Sequence, residues 1–223
     1  MEHLLDIHTT ARFHTLGNIH KNIKAVWFVF HGYSMRADEF IDSFKCIADD
    51  QTLIVAPEGL HRFYSRGTEG KVTSSWMTSD LREEDIKSNI KYLNSVIKEL
   101  FNQGLPNNVS IGILGFSQGS PTSVRWASSL DIDVKQIVVW GSNLPNDVLG
   151  NIHSLKKINS SQMKFIVGSK DKYISEDQVD YLIVEMHDKG VDFDFHTFEG
   201  GHEMHEDSIR YFHARLIDEK LEY

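Results

Sequence analysis

Ser117, Asp171 and His202 are the residues of this chain whose types and order can do covalent chemistry together. Ser117 lies in Gly115-Phe116-Ser117-Gln118-Gly119, a G-x-S-x-G pattern preceded by the apolar run Val109 to Leu114 and followed by a helix-like segment. In that setting the pattern describes a sharp strand-to-helix turn that pushes a serine hydroxyl out above a sheet and requires small neighbours on both sides. A serine hydroxyl is scarcely ionised at neutral pH, so it attacks a carbonyl only when a base takes its proton. Histidine suits, with an unperturbed pKa of about 6.5 for the free side chain, and a carboxylate must then fix its tautomer and stabilise the imidazolium. His202 follows Gly200-Gly201, and Asp171 follows Gly168-Ser169-Lys170. The chain order Ser, Asp, His is the one that enzymes built on such a turn use.

Attack on a carbonyl creates an oxyanion, and losing one preorganised donor to it costs about 10²–10³ in rate. The two donors expected here are the backbone N–H of Gln118, next to the nucleophile, and that of Tyr33, where His31-Gly32 ends a strand. Glu176 and Asp177 compete with Asp171 for the acid, but they read as the first turn of a helix, where acids complement the macrodipole. His202-Glu203-Met204-His205 has its histidines three apart. Zinc-binding helices place them four apart, so no metal is expected.

Those residues need a frame that brings strand ends together. Apolar runs alternate with amphipathic ones, the pattern of a mostly parallel sheet with helices on both faces. The expected strands are Lys24 to Phe30, Leu53 to Ala56, Val109 to Leu114, Gln136 to Trp140, Met163 to Val167 and, nearer an edge, Phe193 to Phe198. The expected helices are Ala37 to Ala48, Leu81 to Phe101 (capped by Gln103-Gly104), Pro121 to Leu130, Glu176 to Lys189 and Glu203 to Leu216. Leu4 to Leu16 partly alternates and reads as a leading hairpin. In open parallel sheets ligands bind beyond the carboxyl ends of the strands, and Ser117, His31-Gly32, Asp171 and His202 all fall at such ends.

The length of 223 residues suits a single α/β domain spanning 1–223. A net charge of −9 argues against nucleic acid or anionic membrane as the main partner. The single cysteine, Cys46, excludes an internal disulfide and sits in an apolar-periodic stretch as a structural thiol. No leader and no run of about 20 apolar residues is present, which gives the expectation of a cytoplasmic protein without an integral membrane segment.

Taken in order, His31-Gly32-Tyr33, Ala56-Pro57-Glu58-Gly59, Gly115-Phe116-Ser117-Gln118-Gly119, Gly168-x-x-Asp171 and Gly201-His202 resemble the phospholipase/carboxylesterase family of small α/β hydrolases. That family includes the acyl-protein thioesterases and bacterial carboxylesterases. The resemblance implies an α/β-hydrolase fold without a large cap domain. It further implies Ser117, Asp171 and His202 as the triad, Tyr33 and Gln118 as oxyanion donors, and no cofactor. The expected substrate is a small-molecule carboxylic ester, with thioesters and lysophospholipid-like esters in the same range. An amidase on the same triad and a catalytically silent binding protein are the alternatives.

Residues 59–80 hold no clear element and read as a loop covering the site. Within them Phe63, Tyr64, Trp76 and Met77 are expected to line an acyl pocket, and Arg62, Arg66 and Lys71 to meet an anionic group. The sequence leaves the acyl-chain length and the oligomeric state open.

Overall fold

Six consecutive apolar residues, Ala25–Phe30, are buried along their whole length, which requires cover on both faces of the strand they form. A computed structural model describes residues 1, 3–5 and 7–217. Its elements are strands β1 (Phe13–Leu16), β2 (Ala25–Phe30) and β3 (Thr52–Pro57), then β4 (His61–Arg66) and β5 (Glu69–Ser75). Helix α2 (Arg82–Asn102) leads to β6 (Ser110–Phe116), α3 (Gly119–Ser129) and β7 (Gln136–Trp140). Two short helices, α4 (Asn146–Leu149) and α5 (Ile152–Asn159), precede β8 (Gln162–Gly168), α6 (Glu176–Asp188), β9 (Asp194–Phe198) and α7 (Glu206–Ile217). Between β2 and β3 a single helical turn, α1 (Ala37–Phe40), runs into a 3-10 helix, Ile41–Ile47.

Seven strands form one sheet in the order β1-β3-β2-β6-β7-β8-β9. All neighbours are parallel except β1, which runs antiparallel to β3 at the edge. Side chains alternate across a strand, so β2 sends Val26, Phe28 and Phe30 to one core and Ala25, Trp27 and Val29 to the other. The first core is covered by α2 to α6, which contribute Leu93, Leu100, Val124, Trp126, Ile158 and Met186. The second is covered by α1, the 3-10 helix and α7, through Phe40, Phe44, Ile209, Phe212 and Leu216. Each fully buried side chain of this size contributes on the order of 1.5–3 kcal/mol.

Three expectations change. Among the described residues of Leu4 to Leu16 there is no hairpin: only Phe13–Leu16 is a strand, and it takes the free edge of β3. Residues 59–80 hold an antiparallel hairpin, β4 with β5, around Gly67. Apart from the buried Thr73, Ser74 and Ser75 its strands are mostly exposed, with polar residues on both faces, so the sequence shows no apolar alternation there. The helix over Ala37 to Ala48 tightens into 3-10 geometry after its first turn.

The second core also holds a buried imidazole. The Trp27 indole N–H donates to His213 Nδ1 at 3.1 Å, and His213 Nε2 stands 3.4 Å from Thr52 Oγ1. With Nδ1 accepting, the ring is neutral and its proton sits on Nε2. Burial holds the His213 pKa below the ordinary histidine value, against a weaker pull upward from Asp49. Burial holds His31 down in the same way. Below a pH of about 6.5 the unfolded chain therefore binds protons that the folded chain refuses. Stability is complete above that pH and is lost as pH falls below it. The thermal midpoint is expected to drop between about pH 7 and 5, and His213→Gln to flatten part of that drop. A midpoint constant across the interval in the parent protein would contradict the assignment.

Candidate active site

The turn from β6 into α3 places Ser117 at φ 51°, the left-handed region that costs a non-glycine residue on the order of 1–3 kcal/mol. Its surroundings hold it there. The Ser117 N–H donates to the Trp140 carbonyl at 2.8 Å, and the Ser120 N–H returns to the Ser117 carbonyl at 3.0 Å. The Ser120 hydroxyl donates to the Gly115 carbonyl at 2.5 Å, so the serine following the motif braces the turn. A Cβ on Gly115 would fall 2.4 Å from Ser120 Cα, and one on Gly119 would fall 2.3 Å from the Phe30 carbonyl oxygen. Both glycines are needed because backbone passes where a side chain would begin.

Asp171 and His202 lie on the turns that follow β8 and β9, and the two turns are bonded to each other. The Ser169 N–H donates to the Phe198 carbonyl and the Lys170 N–H to the Gly200 carbonyl, each at 2.8 Å. Asp171 Oδ2 then stands 2.7 Å from His202 Nδ1, while its Oδ1 accepts the Tyr173 N–H at 2.8 Å. The Asp171 side chain is 1% exposed, which protects the pair from water. An ionised carboxylate only accepts, so Nδ1 carries the imidazole proton and Nε2 keeps its lone pair. Phe116 and Tyr173 each stand 4.8 Å from the imidazole, centroid to centroid. Glu176 and Asp177, the competing acids, sit in the first turn of α6 behind a Ser175/Gln178 capping box.

One residue that the motif reading missed makes room for this pair. Gly141, directly after β7, has φ 59°, and a Cβ there would lie 2.9 Å from His202 Cε1 and 3.6 Å from Asp171 Oδ2. Its position at a strand end, beside the other strand-end residues, was the available signal.

The loop carrying Tyr33 is organised around His31. This fully buried imidazole accepts the Gly59 N–H at Nε2, 3.0 Å away, so its proton sits on Nδ1, 2.7 Å from the Gly32 carbonyl oxygen. Trp76 stacks on it at 4.9 Å and donates its indole N–H to the His31 carbonyl at 2.8 Å. The hairpin is sewn to the same loop, since the Ser34 N–H donates to the Ser74 carbonyl and the Ser74 N–H to that of Met35. The Gln118 side chain closes the circuit: Oε1 accepts the Trp76 N–H and Nε2 donates to the Met77 carbonyl, both at 3.1 Å. Neither the Tyr33 nor the Gln118 backbone N–H donates a hydrogen bond among the described residues.

A cavity of about 660 Å³ opens at this point, lined by Ser117, His202, Gly32, Tyr33, Met35 and Phe116 together with Lys170, Lys172, Tyr173 and Gly201. Phe63, Tyr64, Trp76 and Met77 are not among its walls. Phe63 stacks on Tyr33 at 5.5 Å from behind, and Tyr64 is half exposed on the hairpin. Trp76 is fully buried against His31, and Met77 packs against the α2–α3 core. The basic residues of the hairpin are also elsewhere: Lys71 pairs with Glu39 at 2.8 Å, and Arg62 borders a small cleft beside Arg12 and Glu58. Aromatic residues in a polar stretch suggested a pocket wall; instead Phe63 and Trp76 tie this segment to the His31-Gly32-Tyr33 loop. His205 stacks on Phe198 at 4.9 Å, with Nδ1 2.9 Å from Ser208 Oγ. Among the described residues no group of His, Cys, Asp or Glu is placed to hold a metal, and no helix is long and apolar enough to cross a membrane.

Comparison with solved structures gives the same frame. Zea mays acyl-protein thioesterase 2 is 14% identical, covering 93% of this chain and 100% of that one with a TM-score of 0.69. A phospholipase/carboxylesterase from Dyadobacter fermentans is 18% identical, covering 95% and 99% at a TM-score of 0.63. The Bacillus cereus carboxylesterase is 13% identical, covering 92% and 93% at a TM-score of 0.64. At these identities the likeness is one of fold, the α/β-hydrolase sheet with helices on both faces. No curated protein matches the chain in sequence. The sequence model of the phospholipase/carboxylesterase family, in contrast, matches residues 17–216, nearly the whole chain, and the chain belongs to that family.

Proposed function

We propose that this hydrolase-family protein is a serine hydrolase of carboxylic esters and thioesters, working through an acyl-enzyme. Ser117 Oγ attacks the carbonyl carbon while His202 Nε2 takes its proton, and Asp171 holds the imidazole through Nδ1. The Tyr33 and Gln118 N–H groups receive the oxyanion. His202 then returns the proton to the leaving alcohol or thiol. Water, activated by the same imidazole, attacks the acyl-enzyme and releases the acid and free Ser117.

The observation that carries this reading is the 2.7 Å contact from Asp171 to His202, a histidine that shares a cavity wall with the left-handed Ser117. The Tyr33 and Gln118 N–H groups, which have no acceptor among the described residues, support the same reading.

A fluorophosphonate probe is expected to label Ser117, with peptide mapping locating the adduct, and Ser117→Ala to lose both labelling and about 10³-fold or more of ester turnover. Turnover that survives the substitution would sink the reading. Asp171→Asn is expected to lower kcat by up to about 10⁴-fold, with KM changed far less, because the wrong tautomer results. Gly141→Ala is expected to lower kcat by about tenfold or more, since its methyl displaces the imidazole, and also to lower the thermal midpoint. Kinetics beside a melting curve separates those two effects.

A further inference from the structure

Two lysines line the cavity beside Ser117, in a chain whose net charge has the opposite sign. A formal net charge of −9 makes the average surface repel anions. Yet Lys170 and Lys172 are among the residues that line this cavity, and no Asp or Glu is. Asp171, between them, is turned away, with one oxygen on His202 and the other on the Tyr173 N–H.

Both lysines belong to the turn that positions the acid. The Lys170 N–H donates to the Gly200 carbonyl at 2.8 Å, part of the link between the Asp171 and His202 turns. Lys172 Nζ lies 5.2 Å from the centroid of the Tyr173 ring, and that ring meets His202 edge-on. Lys170 Nζ also pairs with Glu199 at 2.9 Å, but the two side chains are 70% and 85% exposed. Solvent screens such a pair heavily, so it yields readily to an anion held inside the cavity. Both lysines line the same cavity as Ser117 and His202, so an anionic group of an ester whose carbonyl sits at Ser117 shares that cavity with them.

We propose that Lys170 and Lys172 select esters whose acyl or alcohol part carries a carboxylate or phosphate group. This rests on the serine-hydrolase reading and adds the charge of the substrate to it.

Two matched pairs of esters test the idea and separate the sources of the anion. 4-Nitrophenyl hydrogen glutarate against 4-nitrophenyl valerate reports an acyl-side carboxylate. Butyryl-glycerol 3-phosphate against monobutyrin reports an alcohol-side phosphate. At low ionic strength the anionic member of at least one pair is expected to have the higher kcat/KM by about tenfold, a preference that shrinks in about 0.5 M salt. In Lys170→Met and Lys172→Met that ratio falls towards one, while the Arg variants keep it, and each variant's own neutral ester controls for folding. A preference for the neutral ester in both pairs, or a ratio the Met variants leave unchanged, overturns the inference alone. Failure to hydrolyse any of the four esters overturns the hydrolase reading beneath it.

Discussion

Ser117 is held in a left-handed backbone conformation, and the arrangement of the whole site depends on that turn being enforced. Enforcement comes from the parallel sheet. The carbonyl of Trp140 on the neighbouring strand takes the Ser117 N–H, and Gly119 presses against the end of β2, where any side chain would collide with the Phe30 carbonyl. These two adjacencies set two things. The first lifts the serine above the sheet, and the second brings the His31-Gly32-Tyr33 loop alongside.

The same economy extends outward. Bonds between the turns after β8 and β9 align Asp171 with His202 before any substrate arrives, as preorganised electrostatics requires. On the opposite side, the buried and neutral His31 joins the Tyr33 loop, Gly59 and Trp76 into one unit. The Gln118 side chain fastens that unit to the turn itself. The hairpin β4–β5 thus supports the loop holding one proposed oxyanion donor, by Ser34, Met35 and Ser74, rather than roofing the cavity.

Much of this frame was legible in the residues. Continuous apolar runs such as Ala25–Phe30 and Gln136–Trp140 are buried on both faces, so they announce parallel strands without alternation. Strand ends carrying Gly, Ser, Asp and His then pointed to one side of the sheet. The hairpin was not legible, because its exposed strands follow no apolar period and its shape comes from pairing and from Phe63 stacking on Tyr33. Helices α4 and α5 also escaped, since α4 has a single turn and α5 buries only Ile158. Gly141 and the lysines beside Asp171 were missed for another reason. Their strand-end positions were visible, but their importance lies in what surrounds them in space, which no local pattern states.

The central claim is that Ser117 becomes acylated by a carboxylic ester and is then freed by water. The most direct measurement is rapid mixing with a 4-nitrophenyl ester, following released nitrophenol while acid-quenched samples are mapped by mass spectrometry. Provided the second step is the slower, the account predicts a burst approaching one equivalent per chain and an acyl group on Ser117 that disappears as turnover ends. Turnover with the acyl group on any other residue would contradict it.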